Sequence, residues 1–348
     1  MTRKLLEVKD LHVSFMTYAG EVQAVRGVDL HVNAGETLAI VGESGCGKSV
    51  TVQAIMRLLP EPPAVIKKGS ICFDGDELAG KSDKEMENYR GNAFSMIFQD
   101  SMTALNPTMK VGKQLVEAIK AHQKISSEAA KQSALQLLDK VGLPNPKLTY
   151  RTFPHTLSGG MRQRIMIAMA LSCNPGVLFA DEPTTALDVT MQAQILDLMA
   201  NIKQERQNSI VLITHDLGVV AKMADRVAVM YAGQIIEEGD KEEIYYNPKH
   251  PYTWGLLGSM PNLIQERKGM LMSIAGSPPD LFSPPVGCAF APRCDYGMKI
   301  CVKQPPSNQH LTIGHKIRCW LYHEQSPRKI KPPVGRNKSR QDEEGGTT

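Results

Sequence analysis

Two hydropathy rhythms alternate along the chain. Leu5–Phe15 and Gln23–Val32 alternate apolar with polar residues around the turn Tyr18-Ala-Gly-Glu21, which predicts a β-rich beginning. Thr37–Val41 is a short unbroken apolar run before glycines, the pattern of a strand buried on both faces. It feeds a predicted helix, Ser49–Leu59, that stops at Pro60. From about Ser82 to Leu157 the apolar spacing lengthens to three and four, predicting helices over Val111–His122 and Ser126–Val141, the second closed by Gly142-Leu-Pro. Strand and helix then alternate: helix Gly160–Ser172, strand Val177–Ala180, helix Met191–Gln204, strand Ile210–Thr214, helix Leu217–Met223, and strands Arg226–Tyr231 and Gln234–Glu238. That order predicts a mainly parallel, helix-covered sheet with a helical insert at about 82–157. Beyond Tyr246 prolines gather, so a boundary falls near Asn247, followed by an irregular extension over 248–323 and a tail over 324–348.

Composition changes this picture little. With 348 residues, 42% hydrophobic and 22% charged, the chain can bury a large core, and length favours one large domain with an appendage. A net charge of +4 demands no nucleic-acid partner. The basic residues near the end, Arg328-Lys-Ile-Lys and Arg336-Asn-Lys-Ser-Arg340, read as a solvated tail, with attraction to anionic lipid as the alternative. Met1-Thr-Arg-Lys runs straight into a charged strand pattern and no run of about 18 apolar residues occurs. The expectation is a cytoplasmic chain, or one peripheral on the cytoplasmic face of a membrane.

The chemistry gathers at predicted strand ends. Gly42-Glu43-Ser44-Gly45-Cys46-Gly47-Lys48-Ser49 is a phosphate-binding loop between a strand and a helix. Its backbone N–H groups approach phosphates, Lys48 adds a point charge on the β/γ oxygens, and Ser49 offers a hydroxyl to Mg²⁺. Val177–Ala180 ends in two carboxylates: Asp181 is suited to holding Mg²⁺ through water and Glu182 to acting as general base, with Pro183 fixing them at the sheet edge. His215 follows the next apolar strand and can reach the γ-phosphate, and Gln99 follows Phe94–Phe98 and can approach Mg²⁺ and the water. Leu157-Ser158-Gly159-Gly160-Met-Arg-Gln163 is a second glycine turn opening a helix, hence a second phosphate-binding helix start.

These motifs, in this order over residues 4–247, resemble the ATP-binding subunits of ABC transporters. The resemblance implies an α/β fold: an ABC-type P-loop ATPase core with an N-terminal β-subdomain, an inserted helical subdomain and an irregular C-terminal extension. It makes Gly42–Ser49 the Walker A loop, Gln99 the Q-loop, Leu157–Gln163 the signature, Val177–Glu182 Walker B, Ala186-Leu-Asp188 the D-loop and His215 the switch histidine. It also implies an aromatic stacked on adenine, for which Tyr18 is chosen and Phe15 is the rival. A head-to-tail dimer follows, with Ser158–Gly160 of one subunit closing on ATP bound by a related second subunit. Two transmembrane permease subunits and, indirectly, an extracellular binding protein complete the assembly. The coupling groove is expected near Gln99 and Asp100–Pro107.

The extension carries Cys288-x5-Cys294-x6-Cys301-x17-Cys319, while Cys46, Cys72 and Cys173 scatter as free thiols. The four-cysteine spacing matches neither a Cys-x-x-Cys zinc pattern nor a ferredoxin. A metal staple would help a short proline-rich segment hold its shape, and the spacing leaves the metal open. Asn247-Pro-Lys-His-Pro-Tyr-Thr-Trp254, Gly276-Ser-Pro-Pro-Asp-Leu281 and Gly287-Cys-Ala-Phe-Ala-Pro-Arg-Cys294 resemble the oligopeptide/dipeptide importer subgroup, whose members can carry a [4Fe–4S] cluster on such cysteines. The expectation is that cluster, with Zn²⁺ as the alternative, and peptide cargo, with nickel chelates, haem or sugars behind it. A soluble non-transport ABC ATPase and a redox-sensing module are the remaining rivals. His250 reads as part of a packed turn.

Overall fold

A computed structural model describes residues 3–99, 104–185, 187–260, 274–312 and 314–327. Its spine is an eight-stranded sheet in the order β11-β12-β10-β9-β3-β8-β7-β6. The strands are β3 (Thr37–Val41), β6 (Phe94–Ile97), β7 (Val177–Asp181), β8 (Ser209–Thr214), β9 (Arg226–Tyr231), β10 (Gln234–Asp240), β11 (Gln309–Thr312) and β12 (His315–Ile317). The five from β9 to β6 are parallel, and β10, β12 and β11 add on antiparallel. Every residue of β3, β7, β8 and β9 is buried, as a parallel sheet covered on both faces requires. That burial is why these strands read in sequence as continuous apolar runs.

The N-terminal alternation folds as a second sheet, β2-β1-β4-β5, with β1 (Lys4–Thr17), β2 (Gly20–Asn33), β4 (Ala64–Phe73) and β5 (Asp76–Glu77) all antiparallel. Leu6, Val8, Leu11, Val13, Val25, Val28 and Leu30 line its inner face. They pack with Leu38, Ile40, Val52 and Ile55 and with Val211 and Ile213 of the large sheet. Burial of a Leu or Val side chain contributes about 1.5–3 kcal/mol. The helices Val111–His122, Ser127–Lys140 and Pro146–Arg151 form their own group, with Leu115, Ile119, Leu137 and Leu138 meeting Ile165 and Met166 of the helix Gly159–Ala170.

The structure departs from expectation in places with local causes. The helix after the phosphate loop spans Lys48–Ile55 and ends before Pro60, because Arg57 turns to φ 53° while its guanidinium donates to the carbonyls of Ala79 and Lys81. Phe94–Ile97 lies inside the span expected to be helical yet is a strand, paired in register with Val177–Ala180. The extension is more regular than its prolines suggest. It forms a helix, Pro251–Gly258, and the β11–β12 hairpin, whose Ile317 pairs with Glu237 of β10.

Candidate functional site

Topology brings the candidate residues together. β3, β8, β7 and β6 lie side by side and parallel, so the segments leaving their C-terminal ends share one edge. Those segments carry the phosphate loop, His215, the Asp181–Glu182 pair and Gln99. Such an edge is where an open α/β sheet receives ligands.

The loop is shaped by glycines that no other residue replaces. A Cβ on Gly42 would lie 2.2 Å from the Met230 carbonyl oxygen. Gly47, the N-cap of the following helix, sits at φ 100° with its would-be Cβ 2.4 Å from the Ala24 carbonyl oxygen. Lys48 is buried, and its Nζ donates to the carbonyls of Gly42 at 2.8 Å and Glu43 at 2.9 Å, with Cys46 Sγ at 3.9 Å. The ammonium thus sits inside the curl of the loop, while Ser44 and Gly45 face solvent.

Ser49 donates its hydroxyl to Asp181 Oδ1 at 2.9 Å. Burial pushes the Asp181 carboxyl above its ordinary pKa, the Ser49 bond opposes this, and the neighbouring Glu182 charge adds to the rise. A buried carboxylate beside a hydroxyl is a hard-oxygen pair that suits Mg²⁺, and a divalent cation there would offset the cost of burial. Those residues fit the metal that the phosphate chemistry implies.

Glu182 is the convergence point. It holds φ 46°, a left-handed conformation costing about 1–3 kcal/mol in a residue with a Cβ, and its backbone N–H donates to Ile213 O at 2.9 Å. Gln99 Nε2 donates to Glu182 Oε2 at 3.1 Å, Thr185 Oγ1 donates to the same oxygen at 2.9 Å, and His215 Nδ1 lies 3.1 Å from Oε1. Burial is the largest single influence on its pKa and raises it. The bonds from His215 and Thr185, with the nearby Lys48 charge, oppose it, and the carboxyl ends below its ordinary value. An ionised carboxylate is therefore held at the sheet edge. Thr185 carries no motif signature and was not among the residues expected here.

The remaining candidates occupy other places. Ser158 caps the helix Gly159–Ala170, accepting from Met161 N at 3.3 Å, and Leu157 packs partly buried against the helical core. Among the described residues no hydrogen bond joins Ser158–Gly160 to Gly42–Ser49. Gln163 is buried and donates to Pro183 O at 2.7 Å, so it braces the turn after the two acids. Asp188 caps the helix Val189–Arg206 through Met191 N, while Ala186 lies outside the described residues, as do Asp100–Thr103 of the expected groove. Tyr18 stands fully exposed at the β1–β2 turn, whereas Phe15 is half-buried between Val22 and Ala64. His250 is buried as a packed turn, its Nδ1 accepting from Tyr252 N at 3.0 Å.

The four cysteines share a neighbourhood without forming a ligand set. All are free thiols, and burial pushes Cys294 up to about 11 and Cys288 and Cys319 upward as well, with the other thiols adding to the rise. Hydrogen bonds from local backbone N–H groups work against that rise: those of Phe290 and Ala291 for Cys288, Tyr296 for Cys294 and Leu321 for Cys319. Among the described residues no three His, Cys, Asp or Glu side chains are grouped to hold a metal ion. The expected [4Fe–4S] cluster, and Zn²⁺ in its stead, therefore find no support in this arrangement.

Among the described residues no helix is long and apolar enough to cross a membrane. Residues 25–185 match the family model for ABC transporter, and residues 236–301 match that for the oligopeptide/dipeptide transporter, C-terminal region. The chain is 59% identical over 330 residues to the oligopeptide transport ATP-binding protein OppD of Bacillus subtilis, covering 95% of this chain and 92% of the relative. It is 56% identical over 318 residues to the dipeptide transport ATP-binding protein DppD of the same organism, covering 91% and 95%. Among solved structures it is similar to the ATP-binding cassette MJ0796 in a dimeric post-hydrolysis state with ADP and phosphate. That likeness has a TM-score of 0.61 at 26% identity, covering 68% of this chain and 98% of that one. With the phosphate loop, the paired acids and the switch-position histidine on one sheet edge, and a tail matched independently, the chain belongs to the ATP-binding subunits of ABC transporters, in their oligopeptide/dipeptide branch.

Proposed function

We propose that this chain hydrolyses ATP to drive the import of di- or oligopeptides, as a subunit held on the cytoplasmic face of a membrane by two permease subunits. The observation that carries the chemistry is the convergence of Gln99, Thr185 and His215 on Glu182, beside the Ser49–Asp181 pair. The phosphate loop binds the nucleotide through backbone N–H groups and Lys48, and Tyr18 offers its exposed ring to the adenine. Ser49 and Asp181, with Gln99 near, would hold Mg²⁺, which neutralises phosphate charge when bound. Glu182 accepts the proton of the attacking water, and His215 and Gln99 orient both. The helix start at Ser158–Gly160 completes the site of a second, related subunit in a head-to-tail dimer, an arrangement supported by the dimeric state of the solved cassette. Gln163 and Asp188 support that face by bracing Pro183 and capping a helix.

Glu182→Gln is expected to bind ATP normally and hydrolyse it about 10²–10⁴-fold more slowly, accumulating an ATP-bound dimer. Rapid phosphate release by that variant would remove Glu182 from the base role. Peptide cargo rests on the match of residues 236–301 and on the two Bacillus relatives. Uptake of a labelled dipeptide and pentapeptide by cells lacking the chain tests it. Uptake restored by the intact chain and not by Glu182→Gln supports peptide import, and unchanged uptake in a strain without a redundant importer moves the cargo to another solute. The metal question in the tail is separate: iron, sulfide and zinc analysis of anaerobically purified chain distinguishes a cluster, a zinc site and free thiols.

A further inference from the structure

Glu43, the second residue of the phosphate loop, is held from outside the ATPase core. Its backbone N–H donates to the Tyr252 hydroxyl at 2.8 Å, and its carboxylate accepts from Arg293 Nη1 at 2.7 Å and Nη2 at 2.9 Å, from 209 and 250 residues further along the chain. The pair is bidentate, the strongest geometry a guanidinium and a carboxylate adopt. It is also sheltered, with the Arg293 side chain only 5% exposed. Arg293 is fixed in turn: Nε donates to Ala275 O at 2.8 Å, Nη2 to Ile274 O at 3.2 Å and Nη1 to the Tyr231 hydroxyl at 3.3 Å. Its guanidinium also faces the rings of Tyr231 at 5.8 Å and Phe290 at 6.0 Å. Tyr231 ends β9, the sheet neighbour of β3, and its ring packs on Tyr252 at 4.6 Å.

The loop itself has little stiffness, because Gly42, Gly45 and Gly47 flank Glu43 and Cys46. Glu43 is the residue gripped from both sides: its carbonyl accepts from Lys48, and its amide and carboxylate are held by the extension. We propose that Arg293, with Tyr252, is a positioning device for the phosphate loop, by which the C-terminal extension sets the affinity for ATP. A loop fixed in its binding shape loses less conformational freedom when nucleotide arrives, so the benefit falls on binding. Among the described residues no hydrogen bond joins Glu182, His215 or Gln99 to Arg293 or Tyr252, so the hydrolytic step is left alone. The proposal rests on reading Gly42–Ser49 as the ATP site.

The test uses the full chain with trinitrophenyl-ATP titration and steady-state ATPase kinetics. Arg293→Met keeps the apolar stem and removes the fork. It is expected to raise Kd and KM for ATP about tenfold while kcat stays within twofold, the size a charge-assisted bidentate bond supports. Arg293→Lys, a point charge, recovers only part of the loss. Glu43→Gln gives a similar loss, and the double variant is no worse than the weaker-binding single variant, since both remove one interaction. Wild-type affinity in Arg293→Met and Glu43→Gln, or additive losses in the double variant, overturns the proposal. If Arg293→Met does not fold, Glu43→Gln alone decides, because it leaves the Arg293 contacts to Tyr231, Ala275 and Phe290 in place. Lys48→Ala separates the layers: normal ATP binding by that variant removes the site reading itself, and the proposal with it.

Discussion

Glu182 combines a backbone conformation that resists a side chain with a carboxylate that three side chains contact. The strain is offset by the Glu182 N–H bond to β8 and by those contacts, which together hold the carboxylate at one point on the sheet edge. Its lowered pKa carries a sign. The folded carboxyl stays ionised to lower pH than an ordinary glutamate, so a base at this position is lost only as pH falls through that depressed value. Removing the His215 contact takes away the largest lowering influence and leaves burial, which raises, opposed by the Thr185 bond and the Lys48 charge. His215→Ala is therefore expected to lower kcat by about 10²-fold and to shift the acidic limb of the rate profile to higher pH. Parallel kcat–pH profiles for the two proteins check this, because titration of the nucleotide is common to both. Superimposable acidic limbs would detach His215 from the ionisation of Glu182.

Elements differ in how much of their stabilisation is local, and that decides which were legible. The helix Pro251–Gly258 opens on His250, whose buried Nδ1 caps it and whose pKa burial pushes down to about 4. An unfolded histidine titrates near 6.5, so between those values the unfolded chain binds more protons. Stability is complete above about pH 6.5 and is lost as pH falls toward 4, amounting to about 3 kcal/mol for this group. His250→Asn, which can still cap, should flatten the dependence of the thermal midpoint on pH over that window. An unchanged slope would place the titration elsewhere. In sequence the cap was visible only as a packed turn, since burial is a tertiary property. β3, β7 and β8 were legible because strands covered on both faces are continuously apolar. β4 was missed: Lys67, Lys68 and Gly69 interrupt its pattern, and pairing with β1 makes it a strand. β6 was visible as an apolar stretch but fell inside a helical span, because four residues state no period. Polar β11 and β12 exist through the edge of β10 that receives them. At the site, motif positions gave Lys48, Asp181, Glu182 and His215 their places, whereas Thr185 and Arg293 are recruited by the fold and have no spacing that announces them.

For the whole molecule, the question is whether the extension is an appendage or part of one cooperative body. Sequence texture suggests an appendage, with a boundary near Asn247. The contacts argue otherwise: the hairpin extends the main sheet, and Tyr252 and Phe290 share a core with Val41, Val229 and Tyr231. A buried polar contact, His315 Nε2 to Glu237 Oε1 at 2.8 Å, fastens β12 to β10. The far end of the extension has its own small core, where Trp254 meets Ile317, Cys319 and Leu321 and packs edge-on to Tyr296 at 5.2 Å. Trp254→Ala removes that centre and also the indole bond to Pro248 O, at an expected cost of about 3–5 kcal/mol. If sheet continuity makes the two parts one body, calorimetry of the full chain will show a single transition, lowered on the order of 5–10 °C. The thiols of the extension will then become reactive only as ATP binding is lost. Two separated transitions, with thiol exposure preceding any loss of nucleotide affinity, would instead make the extension a module that unfolds alone. They would also confine its influence on the phosphate loop to temperatures at which Arg293 still holds Glu43.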